Sequence, residues 1–176
     1  MRKILRKSVL LMLVLSLLVG GMVTTTFAAT KSLKKQGFTT STSTADKKAI
    51  TVKKGTTTVK LSKKGTGYLK FKATATKTYS FKLSGLKSGN GRYSCGYFYV
   101  MRKYGTAGQY IGQEKLKTYG GKNSALYVAT KNSTYSTKKL YQYRTSRTGK
   151  IKLNKGEMVY LYFSFSSKDQ LKLKIS

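Results

Sequence analysis

Histidine, proline and tryptophan are absent from this 176-residue chain, and cysteine occurs only once. Without histidine the chain lacks the commonest general base and metal ligand at neutral pH, which excludes Ser-His-Asp, Cys-His and zinc-histidine sites. One cysteine cannot form an internal disulfide framework. Cys95 is therefore either a small buried residue, which we favour, or a free thiol that could join two chains.

Acidic side chains are almost as scarce, with four carboxylates against 36 lysines and arginines. A glycoside hydrolase needs two carboxylates that face each other across the substrate, and a calcium site needs several oxygen ligands. Asp46, Glu114, Glu157 and Asp169 are too scattered along the chain to predict either site. No glycine-rich phosphate-binding motif is present. We therefore expect no catalytic residues, no metal site, no cofactor and no enzymatic activity.

Positive charge is what the chain has in excess, with a formal net charge of +32. A charge this large repels itself and is tolerated where salt screens it or a polyanion neutralises it. Two interpretations remain open. The charge serves to bind an anionic partner, or it forms a solvated lysine-rich surface that only keeps the protein soluble.

Residues 1–28 have the pattern of a secretory signal peptide. Four cations in the first seven residues precede an almost wholly apolar run over 8–23, and Thr26-Phe27-Ala28 offers small residues where a signal peptidase reads. No second apolar run is long enough to span a membrane. We expect a secreted protein that starts near Ala29 and has no transmembrane anchor after cleavage. The leader and the lysine-rich composition favour a Gram-positive source and a place outside the cell or at its wall.

The rest of the chain divides into two parts. Residues 29–48 are mostly Lys, Ser, Thr and Gly, which predicts a flexible lead-in. Residues 49–176 are short alternating runs separated by glycines, with no helical spacing over three turns. This pattern predicts an all-β domain, a single antiparallel, jelly-roll-like β-sandwich of about eight to ten strands. Turns are expected at Lys54-Gly55, Lys64-Gly65, Asn90-Gly91 and Lys155-Gly156, where glycine can adopt positive φ.

Alternation also predicts which side of each strand faces the core. In six runs an apolar residue alternates with a polar or charged one, and further strands with a less clear phase are expected over 96–102, 110–119, 124–130 and 140–146. The predicted core positions are Val59, Leu61, Leu69, Phe71, Ala73, Tyr79, Phe81, Leu83, Ile151, Leu153, Val159, Leu161, Phe163, Phe165, Leu171, Leu173 and Ile175.

Two stretches of the predicted strands resemble a known module. Gly-Tyr-Leu-Lys-Phe-Lys-Ala over 67–73 is followed by Thr-Tyr-Ser-Phe-Lys-Leu-Ser-Gly over 78–85, and a strand and turn over 149–157 lead into the aromatic-rich run 158–163. In these features residues 49–176 resemble the bacterial pre-peptidase C-terminal β-sandwich. The resemblance implies an accessory module of the kind found in secreted enzymes, which binds carbohydrates or other extracellular targets rather than catalysing a reaction.

Two sets of side chains are candidates for binding. The first is a group of lysines at outward positions of the predicted strands, which would bind polyanions; its alternative interpretation is that lysines protect strands from pairing with other sheets. The second is a group of tyrosines that could stack on sugars or bases, or could simply fill a second core layer. The lysines are Lys70, Lys72, Lys82, Lys152, Lys172 and Lys174, and the tyrosines are Tyr97, Tyr99, Tyr160 and Tyr162.

The function that we predict is that of a secreted, non-enzymatic binding module for an anionic polymer. Teichoic acid, an acidic glycan or nucleic acid would each bind through counterion release without strict sequence or sugar specificity. Lysine presents a point charge and not a bidentate fork, so loose recognition is expected. The alternative is an accessory module that binds a neutral carbohydrate or a protein through exposed tyrosines.

Overall fold

The computed structural model describes residues 28–61, 65–91, 93–131, 143–166 and 168–176. They form a β-sandwich, which confirms the predicted fold class. One helix, α1 (Thr42–Asp46), accompanies thirteen strands: β1 (Ala29–Ser32), β2 (Ile50–Val52), β3 (Gly55–Lys60), β4 (Thr66–Lys72), β5 (Lys77–Lys87), β6 (Cys95–Tyr104), β7 (Tyr110–Gln113), β8 (Leu116–Thr118), β9 (Gly121–Asn123), β10 (Ala125–Ala129), β11 (Ser146–Leu153), β12 (Met158–Ser164) and β13 (Gln170–Ile175).

The strands belong to two sheets. Sheet A has the order β1-β3-β13-β5-β11-β8-β9, and sheet B has the order β10-β6-β12-β4-β2, with β7 also paired to β6. Pairing is antiparallel except at two edges, where β1 runs parallel to β3 and β2 runs parallel to β4. The strand number exceeds eight to ten because several strands at or next to the sheet edges are only three or four residues long, too short to show a clear alternation in sequence.

The core lies between the two sheets and matches the predicted inward positions. Every one of those positions is buried except Ile151, which is partly buried and packs against the core. Aromatic rings connect the sheets: Phe81 of sheet A lies 6.1 Å from Phe71 and 6.3 Å from Phe98 of sheet B, measured between ring centroids. Such edge-on and tilted ring pairs add to the stabilisation from burial alone. Strand phase in the sequence thus predicted the main core correctly.

The predicted glycine turns are also confirmed. Gly55, Gly65, Gly91 and Gly156 all have positive φ, at 121°, 61°, 74° and 85°. At Gly65 a side chain would also collide with the backbone, because a Cβ atom there would lie 1.7 Å from the carbonyl oxygen of Phe165. Glycine is therefore required at Gly65 on both conformational and steric grounds.

Residues 29–48 differ from the predicted flexible lead-in because they are part of the fold. Strand β1 pairs with β3, and α1 begins after Ser41, whose side chain accepts a hydrogen bond from the Thr44 amide. Leu33 joins the main core, and Ala45 is fully buried against sheet B. A few apolar residues among many polar ones are enough here, because each of them contacts a preformed sheet.

Several other predictions concern single positions or segments. Cys95 is neither fully buried nor fully exposed, so the favoured buried position is only partly correct. Residues 1–27 of the predicted signal peptide, and 140–142 of the predicted strand 140–146, lie outside the described residues. Helix α1 has five residues, and the described parts of the chain contain no apolar helix of membrane-spanning length.

Candidate functional site

The outer surface of sheet A carries a set of lysines that we call the lysine face. Its members alternate with buried residues along their strands, or pair directly with a lysine that does, and all of them are exposed. They come from six strands, β3, β5, β8, β9, β11 and β13. The lysine face consists of Lys60, Lys82, Lys117, Lys122, Lys150, Lys152, Lys172 and Lys174.

Strand register brings several of these lysines directly opposite one another. Lys82 pairs with Lys174 between β5 and β13. Lys117 pairs with Lys150 on one side and with Lys122 on the other, so three cations cross β11, β8 and β9 in one row. Directly opposed like charges destabilise an antiparallel pair. The folded protein therefore holds charge repulsion on this surface that an anionic ligand would relieve.

Hydroxyl side chains occupy the positions between the lysines. Thr58 and Ser84 flank Lys172 on the two neighbouring strands. Thr78 and Ser80 are opposite Lys152 and Lys150, respectively. Hydroxyls can donate hydrogen bonds to phosphate or carboxylate oxygens. The lysine face is thus a lattice of cations and donors, with neighbouring strands about 4.8 Å apart.

None of the four carboxylates of the chain lies on the lysine face. Asp46 forms an ion pair with Lys70, with 2.7 Å between Oδ1 and Nζ. Arg102 contacts Glu157 at 2.6 Å and Glu114 at 3.7 Å. Asp169 is 1% exposed and accepts hydrogen bonds from the Ser94 hydroxyl and the Gly89 amide. The acids thus neutralise cations elsewhere or are buried, and the lysine face keeps its full charge.

The structure brings together four of the six predicted lysines. Lys82, Lys152, Lys172 and Lys174 belong to the lysine face, whereas Lys70 and Lys72 lie on β4 at the outer surface of sheet B. Lys70 is already paired with Asp46. The separation has a simple cause: alternation shows that a lysine points outward, but not from which of the two sheets.

Four lysines of the lysine face were not predicted from the sequence. Lys150 has the same phase as Lys152 on β11 and could have been found from that alternation. Lys117 and Lys122 lie on three-residue strands whose phase is not readable in the sequence. Lys60 follows Val59 in the alternation of β3, which also identifies its outward position.

A groove of about 930 Å³ runs along β11 where the lysine face meets the β8–β9 hairpin. Strand β8 packs close to β11 because residue 149 is a glycine. A Cβ atom at Gly149 would lie 2.7 Å from the Leu116 side chain of β8. The ring of Tyr119, in the turn of the hairpin, is fully exposed. The lining includes the cations Lys117, Arg144, Arg147, Lys150 and Lys152, and it contains no acidic residue.

The tyrosines occupy a different environment on sheet B. Tyr160 and Tyr162 do point to its outer surface, but they are 0% and 3% exposed. The expectation that their rings are free for stacking is therefore wrong: residues 33–49 cover them, with Ala45 and Ala49 in the same cluster and the Phe38 ring 5.5 Å from Tyr162. This cover is distant in sequence from β12, so strand phase could not show it.

Tyr97 and Tyr99 are partly buried neighbours in the same layer of rings. Their ring centroids lie 5.0 Å apart, and Tyr97 also lies 6.0 Å from Tyr127. Burial raises the pKa of Tyr99, and the neighbouring Tyr127 and Tyr97 act in the same direction. These rings form a second core layer with one partly exposed margin, and Phe38 at that margin is about half exposed.

Tyr68 and Asp46 show how residues 33–49 seal this layer. Burial raises the pKa of Tyr68 to about 12, although the hydroxyl is bonded to the backbone of Thr39. Partial burial of Asp46 acts to raise its pKa, but the hydrogen bond from Lys70 and the charges of Lys70 and Lys103 lower it overall. The Asp46 carboxylate is thus held ionised beside the buried Tyr160 ring.

Comparisons with known proteins add little to this description. No protein-family model matches the chain, and no curated protein matches it. One solved structure matches with a TM-score of 0.40 and 8% sequence identity, and the match covers 73% of this chain and 98% of the other chain. That structure is of CorA, described as a surface-associated copper-binding protein of Methylomicrobium album BG8. The resemblance to the pre-peptidase C-terminal module stays a prediction. Within the described residues, no group of three or more His, Cys, Asp or Glu side chains is placed to hold a metal ion.

Proposed function

We propose that this protein is exported and acts, without enzymatic activity, as a binding module for anionic polymers outside the cell that makes it. The lysine face is the binding surface. One observation carries the proposal: eight exposed lysines share one side of sheet A, with no acidic side chain among them. A Gram-positive cell wall, with its phosphate-rich polymers, is the nearest partner of this kind.

Protection of sheet edges does not explain the lysine face. The edges of sheet A are β1 and β9, whereas β13, β5 and β11, which carry five of the eight lysines, are internal strands. Lysines protect a sheet from unwanted pairing when they lie on its edge strands. On internal strands the backbone is already paired, so the lysines there affect only what approaches the surface of the sheet.

Solubility alone does not account for the arrangement either. A surface optimised for solubility intersperses charges of both signs, whereas here lysines are directly opposite lysines. A polyanion would neutralise these pairs and release its own counterions on binding. The resulting affinity should be strongly dependent on salt and only weakly dependent on the identity of the polymer.

Sedimentation with purified Gram-positive walls tests the proposal. The secreted protein is mixed with walls before and after extraction of teichoic acid, over a series of salt concentrations. If all eight lysines contact the polymer, affinity should fall about 10³-fold between 50 and 200 mM salt, from a slope of roughly −0.7 for each contact. Salt-insensitive binding to extracted walls, or no binding to either preparation, would contradict the proposal.

A second candidate function uses the exposed margin of the aromatic layer on sheet B. Tyr97, Tyr99 and Phe38 there could stack on the faces of neutral sugars. Such binding has almost no electrostatic component and should respond little to salt. The same sedimentation experiment therefore separates the two functions, because only the second predicts retained binding to extracted walls at high salt.

A further inference from the structure

The groove along β11 differs from the rest of the lysine face in shape and in composition. Most other lysines project from an open sheet, and the cations that line a second groove are all lysines, Lys31, Lys53, Lys54 and Lys174. Here five cations line one concave surface. Two of the five, Arg144 and Arg147, are arginines, although the chain is otherwise strongly biased toward lysine. A concave, positively charged surface concentrates anions more than a flat one with the same charge.

The backbones that carry these cations are held in place. The Arg144 carbonyl accepts a hydrogen bond from the Ala129 amide at 3.0 Å, and Arg144 forms a bridge with Val128 of β10. Lys117 is directly paired with Lys150 across β8 and β11. Fixed cations lose less conformational freedom on binding than cations on a mobile loop. The groove is thus prepared for an anion.

The two arginines also influence one another. Partial burial lowers the pKa of Arg147, and the charge of Arg144 lowers it further. A guanidinium group offers a planar fork of donors that matches a phosphate or carboxylate oxygen pair, which a lysine cannot do. Arg144 is exposed, whereas Arg147 has the inward phase of β11, opposite buried Leu83. The Arg144 guanidinium and three ammonium groups therefore suit an anion that carries more than one negative charge within the groove.

The spacing of the cations indicates how those negative charges are arranged. Lys150 and Lys152 start about 6.6 Å apart on one strand, and Lys150 and Lys117 start roughly 5 Å apart across two strands. A phosphodiester chain has a charge on every backbone repeat and can place successive phosphates at such intervals. A glycan with a carboxylate on only some of its rings brings fewer charges into the same space.

We propose that the groove along β11 binds successive phosphates of a phosphodiester chain, with the Arg144 guanidinium donating to one phosphate and Lys117, Lys150 and Lys152 to its neighbours. This inference rests on the proposed polyanion-binding function and names the ligand class. Tyr119 presents its exposed ring beside the unit between phosphates. The hairpin holds it there, because Asn123 Nδ2 donates to Thr118 Oγ1 and Thr118 Oγ1 donates to the Gly121 carbonyl, both at 2.8 Å.

Binding of two purified polymers tests the phosphate seat, our name for the site formed by Arg144, Lys117, Lys150 and Lys152. The secreted protein is titrated with poly(glycerol phosphate) and with hyaluronate, a glycan with a carboxylate on every second ring only, at one fixed ionic strength. Arg144→Lys keeps the charge but removes the fork, so it should weaken poly(glycerol phosphate) binding about tenfold, the equivalent of one charge-assisted hydrogen bond. Hyaluronate binding should change less than about twofold, because carboxylates on alternate rings do not occupy the Arg144 position and the neighbouring lysine positions together. Arg144 is exposed, so this variant should fold.

The matched control is the double variant Lys172→Gln with Lys174→Gln, which removes charge from the lysine face outside the groove. It should weaken both polymers equally. Suppose that the double variant weakens both polymers. The phosphate seat is then refuted, and the polyanion function stands, if Arg144→Lys leaves poly(glycerol phosphate) binding unchanged or weakens both polymers alike. If neither variant affects either polymer, both proposals are refuted.

The source of the phosphodiester chain is distinguished by a third probe, an oligothymidylate. Aromatic side chains stack on nucleobases, with an effect of about 1–3 kcal/mol for each base. If Tyr119→Ala weakens oligothymidylate alone, nucleic acid is the source; if it weakens neither chain more than about twofold, a polyol phosphate is the source. Both results support the seat, provided that Arg144→Lys weakens the chain concerned.

Discussion

Strands of both sheets alternate between inward and outward side chains, but the outer surface of sheet A is exposed and that of sheet B is largely covered. On sheet A the outward positions are lysines and hydroxyl residues that remain exposed. On sheet B outward positions such as Tyr160 and Tyr162 are covered by residues 33–49 and become a second core layer. The comparison teaches that an outward strand phase identifies a surface only when no other part of the chain packs on it.

Charge follows the same division. On the outer surface of sheet B, Lys70 is paired with Asp46. Arg102, on the inward side of β6, is paired with Glu114 and Glu157 and donates to the Lys152 carbonyl of β11. On sheet A, Lys82 and Lys117 are opposite other lysines. The acidic side chains thus pair with cations away from the lysine face, which is left for an external anion. Four experiments test this contrast.

Removing a ring from the covered surface should have the largest effect. Tyr162 is almost fully buried, so Tyr162→Ala should reduce the free energy of unfolding by about 3–5 kcal/mol. Lys172→Ala, at an exposed position of sheet A, should change it by less than about 0.5 kcal/mol. Urea denaturation measures both. A small effect of Tyr162→Ala would show that residues 33–49 do not form a second core, and Tyr162→Phe, which keeps the ring, is the control.

Removing charge from the lysine face should have the next largest effect, this time on binding. A variant with Lys82, Lys150, Lys172 and Lys174 changed to Gln should bind poly(glycerol phosphate) about 100-fold more weakly at 0.1 M salt. Its salt slope should be smaller by roughly 3, because four contacts are lost. The matched control changes the exposed lysines Lys34, Lys35, Lys47 and Lys72, and equal losses in both variants would show that only net charge matters.

Relief of repulsion between opposed lysines should produce a smaller, stabilising effect. Lys174→Thr should increase the free energy of unfolding by about 0.2–1 kcal/mol at low salt, because it removes the like charge opposite Lys82. The gain should vanish in high salt, which screens the repulsion. Lys70→Thr should instead destabilise the protein, since it breaks the ion pair with Asp46. Denaturation of both variants at two salt concentrations checks the contrast.

The pH dependence of stability should show the subtlest contrast. Asp46 has a lowered pKa in the folded protein. Its contribution to the free energy of unfolding is therefore present above its unfolded pKa of about 4 and is lost as the pH falls through the folded pKa. Burial raises the pKa of Asp169, although Ser94 and Gly89 donate to it. Its contribution is therefore present below the unfolded pKa and is lost as the pH rises through the folded value.

Two asparagine variants measure the opposite pH-dependent contributions of Asp46 and Asp169 to stability. Asp46→Asn should reduce the loss of stability in acid, and Asp169→Asn should reduce the loss that begins as the pH rises above the unfolded pKa of about 4. Denaturation midpoints between pH 2 and 7 report both effects. Identical profiles for the wild type and the Asp169 variant would show that the buried carboxyl group titrates as it does in the unfolded chain.

Much of the sandwich could be predicted because its signals are local. Alternation along β5, β12 and β13 identified the core residues, and glycines at positive φ marked the turns. The short strands β8 and β9 and the helix α1 could not be predicted in this way. They are too short to carry a periodic pattern, and contact with the sheets stabilises them more than their own propensity does.

The candidate site was predictable only in part, and for a related reason. Outward phase was correct for Lys82, Lys172 and Lys174, and it was also correct for Tyr160 and Tyr162. It did not show that the tyrosines are covered. Phase describes one strand, whereas cover depends on a segment more than 100 residues earlier in the chain.

The sequence by itself determined the charge, the inward side of the main strands and the position of the turns. These properties depend on composition or on backbone geometry that repeats every two residues. Only the tertiary structure decided that Lys82 meets Lys174, that Lys117 joins Lys150 and Lys122, and which surface stays open. Long-range strand pairing sets those neighbours, and it is the choice of partner strands that turns dispersed lysines into one surface.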